Sequence, residues 1–563
     1  MQWLWPYISP FLKPLSGLLI LGITASLVNV GAALMMKRLL DTAVSAGAFG
    51  DIVWPAAEFA ILLLVGILLT VLNTTASAAV LERFSIHIRQ GLFHRLSHSD
   101  WLALSQYHSE DLVTRMTSDT QAIGDGVVSV FSTLITLLSQ FLFSFGVLCY
   151  FDWRLALAVV CIAPVCVLAI KLAGQRFKHF YINIQETESR FRAFIQESLA
   201  NITVVKAFEA EGRNMETLQS LHRERMAWIL KKNKLSALSS GVMMAAYTTG
   251  YIFTFLWGMR GIILKTVSYG SFMAYLQLVS RVQTPVIRLA NSIPQLIGMF
   301  ASIERLRALE ALPIEEDIRE YDHGYAPDCS SDSPVSMLVE DVTFSYAGSG
   351  ENSVLRHISL HVEPGEIVSV TGLSGAGKTT LIRLLLALVR PSQGQVLFSS
   401  RAGGHYPASK ATRRLLSYIP QGNTLISGSI ADNLRLGNPH ATKAEMLAAL
   451  ETACCLNVVE SLTEGIDTII GESGAGLSEG QAQRIAIARA LLRGRPFLIM
   501  DEATSALDQQ TEAQLFANIT ALPRRPACLV ITHREFALGL SDRVYHLSDG
   551  TLHCLIQKGQ TCP

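Results

Sequence analysis

Long uncharged stretches dominate the first half of the chain. Residues 14–36, 59–81, 126–151 and 235–259 contain no Asp, Glu, Lys or Arg, and shorter uncharged runs fill 155–170 and 266–280. A bilayer core about 30 Å thick takes roughly 20 apolar residues in a helix. Six spans are therefore expected, at about 15–37, 56–81, 127–151, 154–173, 235–260 and 266–290. The fourth and sixth runs are short, so charged residues at their inner ends are expected to snorkel or to be covered by protein.

The intervals between runs are unequal. The third and fourth runs, and the fifth and sixth, are separated by a few residues. Connections of roughly 45 and 65 residues, rich in helix formers, join the second to the third and the fourth to the fifth. Twelve Lys and Arg lie between Lys171 and Lys234, and the positive-inside bias puts these long connections and both termini on the cytosolic side. Each connection has a turning point, near residues 107–115 and 198–208. Trp3, Trp5, Tyr7 and Phe11 at the start fit an interfacial segment better than a signal peptide. On the sixth span Arg281 and Arg288 are seven residues apart and share a helix face with Gln277 nearby. They are candidate contacts for an anionic or amphiphilic cargo, or else they snorkel at the cytosolic interface.

Composition sharpens this picture. The 563 residues are 50% hydrophobic and 16% charged, with mean hydropathy +0.34, well below the roughly 25% charge of soluble domains. Lys plus Arg and Asp plus Glu are 46 each, so no basic excess argues for nucleic acid. Through Glu304 there are 24 basic and 18 acidic residues; the rest holds 22 and 28. The boundary is expected in residues 311–336, rich in Pro, Gly, Ser and acid, a linker composition. The nine cysteines form no C-x-x-C pair, which points to reduced thiols.

From residue 337 short β-rich runs alternate with helices, as in an α/β domain. The run Ile367-Val-Ser-Val-Thr371 leads into Gly372-Leu-Ser374-Gly375-Ala376-Gly377-Lys378-Thr379-Thr380, a phosphate-binding loop between a strand and a helix. Its glycines let backbone N–H groups surround phosphate oxygens, Lys378 would reach the β- and γ-phosphates, and Thr379 would ligate Mg²⁺. Downstream, Phe497-Leu-Ile-Met-Asp501-Glu502 is an apolar strand ending in two carboxylates. Asp501 suits the metal, and Glu502 suits the attacking water.

Further segments resemble ATP-binding cassette (ABC) proteins. Leu477-Ser478-Glu479-Gly480-Gln481 resembles the family's signature motif, Gln421 its glutamine loop, Ser505-Ala-Leu-Asp508 the loop coupling two sites, and His533 the switch histidine. Tyr346 stands where an aromatic residue stacks on adenine. Residues 471–474 resemble the segment with which exporters touch their membrane-domain loops. With the preceding spans, the whole chain resembles a half-size ABC exporter. The implied fold is a six-helix all-α transmembrane domain (1–310), a linker (311–336) and a P-loop α/β ATPase domain with a helical subdomain (337–563).

That resemblance implies ATP and Mg²⁺ as cofactors, Glu502 and His533 as catalytic residues, and Thr379, Gln421 and Asp501 around the metal. It also implies a second half-transporter, with each ATP held between one phosphate loop and the partner subunit's signature. A homodimer is expected because Glu502 and His533 are both present; a heterodimer is the alternative. The setting is the lipid bilayer of a bacterial cytoplasmic membrane, with the ATPase domain in the cytoplasm. One departure stands out: the third signature residue, usually Gly, is Glu479, an acid expected to face solvent or to repel triphosphate. The expected activity is ATP-driven export of a small molecule, lipid or peptide by alternating access. Import by an exporter-like fold and a regulatory, non-transporting ATPase are the competing classes.

Overall fold

The structure, a computed structural model, describes residues 2–45, 49–160, 163–315, 335–346, 353–400, 404–471, 474 and 476–557. The chain divides into two compact units. One comprises Met1–Ser97 and His108–Ala311, the other His98–Tyr107 and Leu312–Pro563.

The described residues of the first unit are almost entirely helical. Its long helices are Leu12–Ser45, Gly50–Ser97, Phe131–Phe151, Ala163–Ala200, Glu211–Ile263 and Tyr269–Glu310. The chain breaks helix after Ala200, within the expected turn at 198–208, where the short helix Ile202–Ala207 intervenes; the other break comes after Ser97, ahead of the expected turn at 107–115, and residues 109–114 are helical. Among the described residues only three helices are both long and apolar enough to cross a membrane, Trp5–Ser45, Gly50–Ser97 and Ser109–Phe151, against the six spans expected. The shortfall has a compositional cause. Glu211–Ile263 and Tyr269–Glu310 mix apolar residues with Ser236, Ser239, Thr248, Gln277, Arg281 and Gln283, so no window in them is apolar enough. Residues 161–162 of the fourth expected span lie outside the described residues.

Small and aliphatic side chains pack this unit. Val30, Ala33, Leu148, Leu155, Tyr275 and Leu278 share one buried cluster. The N-terminal aromatics are anchored: Phe11 meets Phe84 edge-on at 5.4 Å, Tyr7 donates to Glu310 at 3.0 Å, and the Trp3 indole N–H donates to the same carboxylate. Two π-helical segments, Arg115–Asp119 and Asp125–Val130, interrupt the helix that leads into Phe131–Phe151. Such widened turns reposition side chains. Here Asp119, almost fully buried, accepts from Ser302 at 3.0 Å and from the Arg305 guanidinium Nε at 2.8 Å.

Among the described residues the second unit holds twelve strands: β1 (Val335–Phe344), β2 (Leu355–Val362), β3 (Ile367–Thr371), β4 (Gln393–Ser400), β5 (His405–Pro407), β6 (Leu416–Ile419), β7 (Gly428–Ser429), β8 (Ile469–Ile470), β9 (Phe497–Asp501), β10 (Ala527–Ile531), β11 (Arg543–Ser548) and β12 (Thr551–Gln557). They form an antiparallel sheet in the order β2-β1-β4-β5, a six-stranded sheet in the order β12-β11-β3-β10-β9-β6, and the small pair β7-β8. Pairing of β11, β3, β10, β9 and β6 is parallel throughout. Strands covered on both faces read as continuous apolar runs, and every residue of β9 and β10 is buried. Most of the expected linker, residues 316–334, lies outside the described residues.

Candidate active site

Five parallel strands deliver their C-terminal ends to one edge, the place where open α/β sheets bind ligands. From β3 the chain enters residues 372–377 and then the helix Lys378–Leu385. Gly372 has no alternative: at φ +150°, a Cβ would lie 2.3 Å from the Leu547 carbonyl oxygen. Gly375 and Gly377 follow at φ +84° and +107°, turns that side chains resist. Successive backbone N–H groups in such a loop form an anion cradle, and the helix N-terminus adds its dipole.

Lys378 is buried within this loop. Its Nζ donates to the Gly372 carbonyl, lies 2.7 Å from His533 Nε2, and is 3.9 Å from Glu502 Oε1. An ammonium has no acceptor, so it donates to Nε2, and His533 carries its own proton on Nδ1. Glu502 Oε1 is also 3.9 Å from His533 Nε2, while Gln421 Nε2 donates to Glu502 Oε2 at 2.8 Å. Strand order explains the gathering. Ile419 is beside Met500, Ile531 is beside Asp501, and Gln421 and His533 each follow two residues later. Glu502 itself sits at φ +49°, a strained conformation for a side-chain residue. It is held by its N–H to the Ile531 carbonyl at 3.0 Å and by its own carbonyl, which accepts from Ser505 N at 3.1 Å.

Burial raises the Asp501 carboxyl above the usual range, and the charge of Glu502 adds to this; Lys378 opposes it. The adjacent Tyr418 hydroxyl is pushed up to about 12, chiefly by burial and then by Asp501. A bound divalent cation would reverse that logic for the carboxylate. Among the described residues no group of three His, Cys, Asp or Glu side chains forms a metal cage. The oxygen donors of Asp501 and Thr379 instead fit Mg²⁺, which is held by few protein ligands together with substrate phosphates.

The structure thus gathers Lys378, Gln421, Glu502 and His533 at the loop of Gly372, Ser374, Gly375, Ala376 and Gly377, with Asp501 next in chain. Thr379 is exposed, whereas Thr380 is buried, its Oγ1 3.2 Å from the Tyr346 hydroxyl. The remaining expected residues serve their own helices. Ser478 Oγ accepts from Gln481 N at 3.3 Å and Gln481 Oε1 accepts from Ser478 N at 2.9 Å, a reciprocal cap on the helix Glu479–Leu492. Gly480 packs against the chain after Glu502: a Cβ there would lie 2.9 Å from the Ala506 carbonyl oxygen. Asp508 caps the helix Gln509–Thr520 by accepting from Thr511 N at 2.8 Å. In the first unit, Gln277 and Arg281 are half-buried and Arg288 is exposed. The expected loop-contact segment includes residues 472–473, which lie outside the described residues.

Two supporting residues, Glu512 and Arg534, escape a reading of the sequence, whereas Gln483 directly continues the signature motif. Buried Gln483 donates to Ser505 Oγ at 3.0 Å and accepts from Ala506 N at 3.1 Å. Glu512, 1% exposed, accepts from Thr504 at 2.7 Å and from Arg534 at 3.1 Å, and Arg534 also donates to the Ser505 carbonyl at 2.8 Å. One signal was available: Glu512 shares its helix face with Leu515, Phe516 and Ile519, an acid on an apolar stripe.

Comparisons with known proteins agree with this geometry. Residues 15–286 match the family described as "ABC transporter transmembrane region", and residues 355–505 match "ABC transporter". An "ATP-dependent lipid A-core flippase" of Desulfotalea psychrophila is 29% identical over 84% of this chain and 82% of its own length. One of Yersinia pestis is 26% identical over 98% and 93%. A solved structure of a bacterial Atm1-family ABC exporter with ATP bound has the same fold, with a TM-score of 0.81, 22% identity, and coverage of 96% of this chain and 95% of that one. The chain belongs to the ABC transporters, with a transmembrane region and an ATP-hydrolysing domain fused in one polypeptide, and it couples ATP to transport across a membrane.

Proposed function

We propose that the chain is one half of a homodimeric exporter in a bacterial cytoplasmic membrane, with six spans within residues 1–310, a linker at 311–336 and the ATPase domain at 337–563. The observation that carries this reading is the division of the site. Lys378, Gln421, Glu502 and His533 converge, while Ser478, exposed at the cap of its helix, accepts within that cap through Oγ and leaves its hydroxyl proton and the helix N-terminus to donate to a second chain's nucleotide.

In this reading the phosphate loop and Lys378 hold the triphosphate, and Tyr346 supports the adenine. Thr379, Asp501 and Gln421 hold Mg²⁺, which screens phosphate charge. Glu502 takes the proton of the attacking water, and Gln421 and His533 orient that carboxylate and the γ-phosphate. Closure of two such chains around two ATP molecules draws the cytosolic connections together, and hydrolysis releases them. ATP can bias that equilibrium only through its preference for the closed state.

The cargo we favour is an amphiphile with an anionic head, as the names of the flippase relatives suggest. Arg281 is half-buried on the helix Tyr269–Glu310, and Gln283 is buried with neither amide atom hydrogen-bonded, a polar demand that a headgroup could meet. Replacing both Arg281 and Arg288 by Gln is expected to abolish stimulation of ATPase by such lipids while leaving basal turnover; intact stimulation refutes the cargo assignment.

Glutamate 479 favours a second reading, a heterodimer in which the partner subunit supplies a signature with glycine. Two measurements separate the readings. The purified chain alone hydrolyses ATP at a transporter-like rate if the homodimer is right. Glu479→Gly lowers the KM for ATP if the acid repels triphosphate and leaves it unchanged if the acid faces solvent.

A further inference from the structure

The segment His98–Tyr107 belongs to the ATPase unit, although the chain runs directly from it into the helices Gly50–Ser97 and Ser109–Thr114. Its short helix, Trp101–Leu104, is capped by Asp100, which accepts from Ala103 N at 3.0 Å. Trp101 and Leu102 pack on the apolar core around β1 to β4. Over the Trp101 ring, 4.7 Å from its centroid, lies the guanidinium of Arg383. The same guanidinium donates through Nη1 to the Tyr346 hydroxyl at 2.8 Å. That hydroxyl is in turn 3.2 Å from Thr380 Oγ1 in the phosphate-loop helix. Since the arginine can only donate, Tyr346 accepts from it, and between Tyr346 and Thr380 either hydroxyl can donate.

A second tie fixes the other end of that helix. Ser99 pairs with Ile314 in an antiparallel bridge, flanked by hydrogen bonds from Asp100 N to the Pro313 carbonyl and from Glu315 N to the His98 carbonyl, each 2.8 Å. The Glu315 carboxylate pairs with Arg413, and Arg413 donates to the carbonyls of Leu386 at 2.7 Å and Ala387 at 3.0 Å, which close the phosphate-loop helix. The segment before Trp101 is thereby anchored, and Arg383 supplies the cation over its indole ring.

We propose that Arg383 is a positioning residue that makes Trp101 report the occupancy of Tyr346 by a purine base. The inference rests on the nucleotide-site reading above and adds to it a division of labour. The phosphate loop takes the triphosphate, whereas the base, by stacking on Tyr346, resets the hydroxyl that Arg383 holds and thus the cation over the indole. A polyphosphate without a base would fill the loop and leave Trp101 unmoved. Planarity matters, because one guanidinium face can lie on the indole while its edge donates to Tyr346; an ammonium is a point charge with no face to stack, so it holds the two groups less firmly.

The test uses the full chain in nanodiscs, with Trp101 emission taken as the difference between wild type and Trp101→Phe. Binding of a non-hydrolysable ATP analogue and of inorganic tripolyphosphate, each with Mg²⁺, is followed in parallel by displacement of a fluorescent nucleotide. Wild type is expected to change its Trp101 emission with the analogue and not with tripolyphosphate. Arg383→Gln is expected to lose the response per bound nucleotide while its Kd for the analogue moves by less than about threefold, under 1 kcal/mol. Arg383→Lys is expected to keep only part of the response, and Tyr346→Phe, which removes the hydroxyl alone, is expected to lose it even where Arg383→Gln does not fold. A full response in either Arg383→Gln or Tyr346→Phe, or an equal response to tripolyphosphate, overturns the proposal. If wild type binds neither ligand, the nucleotide-site reading itself fails, an outcome distinct from binding without a base-specific signal.

Discussion

Single atoms decide what the signature and site residues can tolerate. The Ala506 carbonyl leaves no room for a Cβ at Gly480, so Gly480→Ala must push the signature helix away from the chain that follows Glu502. Overpacking of this kind costs about 1–3 kcal/mol, and we expect a lower thermal midpoint together with reduced ATPase. Thiols obey a different constraint. Burial pushes Cys528 up to about 12 and Cys455 up to about 11, and also raises Cys454. Almost no thiolate forms on Cys528 or Cys455 at neutral pH, and the thiolate is the reactive form. Maleimide at pH 7.5 is therefore expected to leave both unlabelled in the native protein and to label them after unfolding, which mass spectrometry of peptides can read. Raising the pH toward 9 accelerates labelling of exposed thiols before these two.

At the scale of elements, pairs of helices are tied by a few polar groups. Asp119, placed by a π-helical turn, joins Ser302 and Arg305 on the helix Tyr269–Glu310. Removing its charge leaves a half-exposed arginine, whose loss is softened by solvent. We expect Asp119→Asn to cost about 1–3 kcal/mol. The double variant with Arg305→Gln should cost less than the sum of the single changes, because the attraction between the two groups is lost only once. Denaturant midpoints of the four proteins close that cycle; strict additivity would show that the two groups act independently. Neither residue follows from local pattern. Periodicity marks Asp119 only as one polar position in a helical connection, and its partner lies 186 residues away. The phosphate loop, by contrast, was legible in full, since its chemistry is set by consecutive residues whose φ values only glycine accepts readily.

At the scale of the whole molecule, the proposed dimer makes a prediction that one chain cannot satisfy. Chains with Lys378→Ala, mixed with wild type before reconstitution, are expected to lower ATPase more steeply than in proportion to their share, because each closed dimer needs two occupied sites. A linear fall would mean that each chain works alone. Glu502→Gln is expected to reduce turnover by at least about a hundredfold while still binding ATP, and to hold the chains together when ATP is added, as size-exclusion chromatography would read.

Sequence alone settled the membrane character of the first half, the alternation of strand and helix in the second, and the identity of the nucleotide-binding motifs. Each of these is encoded in contiguous runs, where hydropathy and backbone freedom act residue by residue. The tertiary structure decided which distant groups meet. It placed Gln421, Glu502 and His533 together because β6, β9 and β10 are neighbours in the sheet, and it confined Ser478 and Asp508 to helix caps. It likewise put Trp101 on Arg383 and Glu512 beneath Thr504 and Arg534. Hydropathy suggested six spans where, among the described residues, three helices are long and apolar enough to cross a membrane, because polar residues that helices can bury against one another dilute the local signal. Contacts between residues far apart in the chain depend on strand order and helix packing, and those are properties of the folded molecule rather than of any window of its sequence.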